Sequence, residues 1–236
     1  MPEFEHRGDL KKKYVREMFD DIAPRYDFLN HFLSLGLDFY WRRQLIGCLR
    51  LCREDRVLDV ATGTGDVALA LLRQRDVTVV GLDVAAEMLQ RARQKGRSCQ
   101  PGKFELVRGD GESLPFQNGV FQALTIAFGL RNIGYFQTAL AEFYRVLKPG
   151  GQVAILEFTQ PPSPLIAAPY RFYFHQILPR IGALFSRADA YRYLPESVDF
   201  FLKPDELLAM LLDCGFQDAT FRPLTGGTVG LFSAFK

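Results

Sequence analysis

Arg56-Val-Leu-Asp-Val-Ala-Thr-Gly-Thr-Gly-Asp66 decides how the rest of the chain is read. Val57, Leu58, Val60 and Ala61 form the short apolar run of a central parallel strand, buried on both faces. Gly63 and Gly65 supply backbone that can turn sharply and lie close to a ligand, and a helix follows from Asp66 to Arg75. A strand that passes through a glycine turn into a helix places a nucleotide at the turn.

Gly63-Thr-Gly65-Asp-Val-Ala68 also fits the dinucleotide fingerprint, whose third glycine can be alanine. Charge separates the two readings. A dinucleotide brings an anionic pyrophosphate to the helix N-terminus, yet Asp59 lies in this strand and Asp66 directly follows the second glycine. Two carboxylates repel such a group and suit a ligand carrying an ammonium and a sulfonium, which describes S-adenosylmethionine. Downstream, Val77–Asp83 gives a second buried strand ending in an acid. Asp83 falls about 20 residues after Gly63, the offset at which an acid meets ribose hydroxyls in doubly wound folds. Capping the helix Ala85–Gln94 is the secondary reading of Asp83, and the two roles can coexist. Phe104–Asp110 makes a third strand, with Asp110 and Gly111 at the edge where an adenine amino group is accepted.

Around this centre, strands at Phe121–Phe128 and Gln152–Phe158 alternate with a helix at Phe136–Leu147, which predicts an α/β fold. The fold class expected is a doubly wound, seven-stranded, mostly parallel sheet. Thr225-Gly-Gly227 separates two closing strands, Asp218–Leu224 and Thr228–Phe235, and hairpin geometry makes the last strand antiparallel. A helix over Pro204–Cys214 ends at Gly215. The expected organisation is a helical lead-in over 1–51, with helices at Tyr14–Asn30 and from Asp38 to about Leu51. A ligand-binding core follows over 52–158, then an inserted cap over 159–202, and 203–236 completes the core. In the cap, Tyr170–Leu178 reads as a helix and Pro179, Gly182 and Pro195 as breaks.

With 236 residues, 48% of them hydrophobic, the chain has enough apolar material for a sizeable core, and its net charge of +2 asks for no nucleic acid. The four cysteines are scattered and the histidines number three, so no zinc spacing occurs and the thiols are expected reduced, in a cytoplasmic protein. No apolar run reaches the length of a membrane span, and Met1–Lys13 lacks the apolar centre of a signal peptide. A homodimer is compatible with this composition.

Five segments together resemble one family. They are Phe19-Asp-Asp-Ile-Ala-Pro-Arg-Tyr-Asp-Phe-Leu-Asn30, Leu58–Asp66, Phe128-Gly-Leu-Arg-Asn132, Arg145-Val-Leu-Lys-Pro-Gly-Gly151 with Leu156-Glu-Phe158, and Tyr191-Arg-Tyr-Leu-Pro-Glu-Ser197. The chain resembles the UbiE/MenG quinone-biosynthesis C-methyltransferases, within the class I S-adenosylmethionine-dependent enzymes. The resemblance implies C-methylation of a polyprenylated quinol ring, demethylmenaquinol first and the ubiquinone-pathway benzoquinol second. It also implies cofactor contacts from Thr62 in the glycine loop, from Asp83, and from Asp110 with Gly111. One position departs, because the family often has serine where this chain has Ala127.

Ring methylation on carbon requires two bound reactants to be aligned, and it gains from a cation beside the phenolic oxygen as that oxygen loses its proton. Arg131 is the candidate cation and Asn132 the residue that orients a hydroxyl or a water. Arginine stays protonated, so the acceptor is a water, Asp66 or His175. Asp59, Thr62, Gly63, Gly65, Asp83, Asp110 and Gly111 are the expected cofactor-binding set. The aromatic cap, with Arg171, Arg180, Arg187 and Arg192 among its apolar residues, suits a lipid-tailed substrate taken from the inner face of a membrane by a peripheral enzyme. A packing role for the cap fits equally, and three rival readings stand beside this one: a methyltransferase for another small molecule, a non-catalytic scaffold, and an NAD-dependent oxidoreductase.

Overall fold

The computed structural model describes residues 8–177, 180 and 188–236. The expected breaks at Pro179 and Gly182, the end of the predicted helix at Leu178, and Arg187 lie outside the described residues, as does the side chain of Arg192. The N-terminal part begins with α1 (Gly8–Ile22), a 3-10 turn at Ala23–Arg25, α2 (Tyr26–Leu33) and α3 (Leu37–Gly47). The single helix expected over Tyr14–Asn30 is therefore two, and they are parted by the turn that contains Pro24.

The core follows as β1 (Arg56–Val60), α4 (Asp66–Gln74), β2 (Thr78–Asp83), α5 (Ala86–Lys95), β3 (Phe104–Arg108), β4 (Phe121–Ala127), α6 (Phe136–Val146) and β5 (Leu147–Phe158). Next come α7 (Pro164–Phe172), which runs into a π turn at Tyr173–Ile177, then α8 (Ala188–Asp199), α9 (Pro204–Asp213), β6 (Gln217–Leu224) and β7 (Val229–Phe235). Pro195 lies inside α8 and does not end it. Tyr193 and Val198 on either side of it are buried against α1, and this packing holds the turn that lacks a backbone donor.

The seven strands form one sheet in the order β3-β2-β1-β4-β5-β7-β6. All pairs from β3 to β5 are parallel, and β7 runs antiparallel to both β5 and β6, as the glycine-rich hairpin predicts. Strand alternation divides the core into two layers. Leu58 and Val60 face Leu140, Phe143 and Leu207 on α6 and α9, whereas Val57 faces Leu45 and Leu71 on α3 and α4. The β1 connection passes through α4 to β2 on one side, while the β4 connection passes to β5 on the other, so a crevice opens between the C-terminal ends of β1 and β4.

Both strand ends leave the sheet through left-handed backbone, at Ala61 (φ 51°) and Phe128 (φ 57°). Such backbone in residues other than glycine stores strain and recurs at functional sites. Gly65 (φ 84°) closes the glycine turn, and a Cβ there would lie 3.2 Å from the Ala92 Cβ on α5. Gly150 (φ 73°) has the same hand with nothing within 4 Å of the added atom. Gly150→Ala should therefore cost about 1–2 kcal/mol, the penalty of the left-handed backbone alone. Gly65→Ala should cost more, because α5 must also move. Equilibrium denaturation of the two variants checks the ordering.

Candidate active site

Two cavities meet in the crevice. The larger, of about 450 Å³, is walled by Phe128, Phe158 and Asn132 from the sheet side and roofed by Met18, Phe19 and Tyr26 from the N-terminal helices, with Tyr170 and Phe174 from the cap. The smaller, of about 100 Å³, is lined by Leu82, Asp83, Met88, Asp110 and Gly111. Ala61, Gly63, Ala127, Phe128 and Asn132 border both.

Asp83 ends β2 with its carboxylate buried and held by the backbone. The Gly63 N–H donates to Oδ2 at 2.8 Å and the Ala85 N–H to Oδ1 at 2.9 Å. One side chain thus fixes the glycine turn and the backbone just ahead of α5, whose N-cap is Ala85 without a side-chain cap, so Asp83 is not the helix cap that the sequence offered. Burial nonetheless pushes its pKa up to about 6. Asp59 behaves alike. Register places it beside Thr125, whose Oγ1 donates to Oδ1 at 2.7 Å, while Thr62 Oγ1 donates to Oδ2 at 2.6 Å. Burial again outweighs these bonds and raises Asp59 to about 6. Asp110 is half exposed, accepts from the Glu112 N–H at 2.9 Å and pairs with Lys12 at 3.2 Å. A Cβ on Gly111 would press on Val60 and Ile133 at 3.2 and 3.3 Å, so glycine keeps the floor of the smaller cavity open.

Three of the predicted residues sit differently from their expected roles. Asp66 does not offer an uncompensated carboxylate, because it pairs with Lys95 and, at 3.3 Å, with Arg42. Burial would raise its pKa, but the two cations prevail and hold it below the usual carboxylate range, which makes it a poor proton acceptor. Arg131 is buried and its guanidinium is shared between Glu157, the Phe128 carbonyl and Ser197 Oγ. Glu157 is fully buried, so Arg131 neutralises that charge and braces β4 against β5, while the residue also borders the larger cavity. His175 borders neither cavity. It is partly exposed and pairs with Asp199 at 3.3 Å. Asn132 does line both cavities, and the Tyr193 hydroxyl donates to its side-chain oxygen at 3.1 Å.

Several site residues were not marked by the sequence. Arg42 on α3 borders the larger cavity, bonded to Asp38 and Asp66. Lys12 on α1 reaches Asp110 and, at 2.6 Å, Glu112, whose other oxygen accepts the Gly134 and Tyr135 N–H groups. Tyr193 had a signal, since it stands inside the Tyr191–Ser197 segment. Arg42 and Lys12 had none, because helical periodicity does not say which polar face is covered.

The model of the ubiE/COQ5 methyltransferase family matches residues 7–236. This chain belongs to that family. A Geobacter sulfurreducens relative named ubiquinone/menaquinone biosynthesis C-methyltransferase UbiE is 45% identical over 98% of this chain and 91% of its own length. A Deinococcus radiodurans demethylmenaquinone methyltransferase is 48% identical over 97% of this chain and 96% of its own. Among solved structures, a Thermotoga maritima S-adenosylmethionine-dependent methyltransferase superposes with a TM-score of 0.65 at 18% identity, covering 94% of this chain and 99% of that one, a likeness of fold.

The ubiE/COQ5-family chain is an S-adenosylmethionine-dependent methyltransferase, and its residues fit that cofactor. Two buried acids whose charge is costly to hold alone, Asp59 and Asp83, border the cavities on either side of an open glycine turn, where an ammonium and ribose hydroxyls would stabilise their ionised forms. A linkage follows. Both acids titrate above their ordinary value, so in the ligand-free protein they add stability below about pH 4 and lose it as pH rises through about 6. A ligand that favours the carboxylates binds more tightly as pH rises across the same window and expels protons. S-adenosylhomocysteine affinity should climb from pH 5 to 7, and calorimetry near pH 6 in buffers of different ionisation enthalpy should detect the released protons. Asp83→Asn should remove about half a proton from the count at that pH, because a carboxyl with a pKa near 6 is half protonated there.

Proposed function

We propose that this family member methylates a ring carbon of a polyprenylated quinol, demethylmenaquinol first and the ubiquinone-pathway benzoquinol second. The observation that carries the reading is the larger cavity, apolar and aromatic, which adjoins the nucleotide end of the sheet and opens at a greasy rim. The names of the Geobacter and Deinococcus relatives support the same substrate class.

S-adenosylmethionine supplies, when bound, a methyl group on a positively charged sulfur. The chain's own residues do the rest. Asp83 accepts ribose hydroxyls, Asp110 beside Gly111 accepts the adenine amine, and Asp59 with Thr62 meets the ammonium across the Gly63–Gly65 turn. Phe128, Phe158 and Phe174 hold a flat ring against the methyl donor's side of the crevice and exclude bulk water from it. Asn132, aligned by Tyr193, orients a ring hydroxyl. The compensated Asp66 and the outward His175 favour water as the acceptor of the quinol proton. Methyl transfer from labelled S-adenosylmethionine to short-tailed demethylmenaquinol and to the matching benzoquinol tests the assignment. Product is expected from the first at least, and no product from either would overturn it.

The rim suits a lipid tail. Leu35, 83% exposed, and Ile166 border the larger cavity, while Leu165, 88% exposed, and Phe172 stand out on α7 beside the exposed Arg171. Apolar residues with a neighbouring cation fit the surface of an anionic bilayer. No helix among the described residues is long and apolar enough to cross a membrane, so the contact proposed is peripheral. The double variant Leu165→Glu/Phe172→Glu should reduce flotation with anionic vesicles by at least roughly tenfold. It should also slow turnover of a long-tailed quinol while sparing a short-tailed one, with the unfolding transition unchanged.

A further inference from the structure

S-adenosylmethionine ends in an amino acid, whose ammonium and carboxylate stand on one carbon. Asp59 with Thr62 meets the ammonium, so the carboxylate needs a cation on the same side of the crevice. Among the described residues three cations border the two cavities: Arg42, Arg131 and Lys12. Lys12 stands at the smaller cavity, engaged by Asp110 and Glu112. Arg131 is on the β4 side, bound to Glu157 and the Phe128 carbonyl. Arg42 is on the side of the glycine turn. It lines the larger cavity together with Asp59, Thr62, Gly63 and Thr64, and its guanidinium reaches Asp66, which directly follows the turn, at 3.3 Å. Its charge also acts on Asp59, where it offsets part of the effect of burial.

Two acids hold this guanidinium in position. Asp38, one turn back on α3, binds one terminal nitrogen and is itself fixed by Ser34 Oγ at 2.8 Å and His31 Nδ1 at 2.6 Å. Asp66 approaches the other terminal nitrogen and is shared with Lys95. A guanidinium carries five N–H donors in a planar fork, so two acids that take one nitrogen each leave donors for a third carboxylate. The side chain keeps 12% of its surface accessible while it lines the cavity. We infer that Arg42 binds the carboxylate of the amino-acid tail of S-adenosylmethionine, and so makes the site selective for the intact tail over its decarboxylated form. The inference rests on the placement of the ammonium at Asp59. The tail is a zwitterion and adds no net charge, so the acids around the turn tolerate it once each end faces an opposite charge. Arg42 makes and breaks no covalent bond, and it acts by fixing the donor's tail from α3 while β1 fixes the neighbouring ammonium.

Calorimetric titration with S-adenosylmethionine and with decarboxylated S-adenosylmethionine tests this without any quinol, so the result leaves the substrate reading untouched. The unaltered enzyme should bind the intact cofactor roughly 10- to 100-fold more tightly, the range for a hydrogen-bonded charged pair. Arg42→Gln should lower affinity for the intact cofactor by about that factor and leave affinity for the decarboxylated compound within about twofold. Arg42→Lys keeps the charge and loses the fork, so it should retain part of the preference, and it carries the same comparison if Arg42→Gln does not fold. Binding of the decarboxylated compound, which keeps the ammonium, reports the Asp59 contact on its own. A merely structural role for Arg42 would weaken both compounds alike and leave the preference between them unchanged. An unchanged preference in the variants would overturn the inference, and so would an unaltered enzyme that binds the two compounds equally.

Discussion

The crevice between β1 and β4 is the constraint on which everything else rests. Its two strands are paired in register as far as Val60 and Ile126, and then the chain must leave one to the left and the other to the right. The sheet cannot close that gap with backbone, so side chains, helices or a ligand must. Ala61 and Phe128 accept left-handed backbone at its lip, and a Cβ on the intervening Gly129 would lie 2.6 Å from the Ala61 Cβ. The two strand ends are pressed together as far as glycine allows, and what remains open is the site.

Charge around the crevice is distributed unevenly, and the difference carries meaning. Asp66, Arg131 and Glu157 are bound up in ion pairs that hold elements together. Asp59 and Asp83 have only hydroxyl and backbone partners, so their buried charge is the part of the site that a cation or a hydroxyl can still improve. The acids that were alike in sequence are thus unlike in the fold, one group structural and the other receptive.

That contrast marks how far the sequence could be read. Apolar runs such as Val57–Val60 and the spacing from Gly63 to Asp83 depend on local periodicity and chain geometry, and both translated directly into strands, turn and crevice. The antiparallel β7 followed from Thr225-Gly-Gly227 for the same reason. Compensation did not translate, because it is a property of pairs far apart in the chain. Lys95 lies 29 residues from Asp66, and Glu157 lies 26 from Arg131. The cap resisted reading too. Its π turn at Tyr173–Ile177 and the proline inside α8 leave no periodic trace.

The roof over the nucleotide end is fastened in an unusual manner. Asp27 on α2 takes hydrogen bonds from Thr64 in the glycine turn and from Lys95 on α5, and Arg42 on α3 reaches Asp66 at the start of α4. These fastenings are partly hydrated and ionic, whereas the sheet beneath is held by fully buried hydrocarbon. Mobile ions and water compete with the first kind of bond and not with the second. The same helices are also seated by buried apolar residues, Met18, Ile22 and Leu29 on one side and Leu45 and Ile46 on the other, so added salt slackens the fastening at the turn and leaves the roof in place.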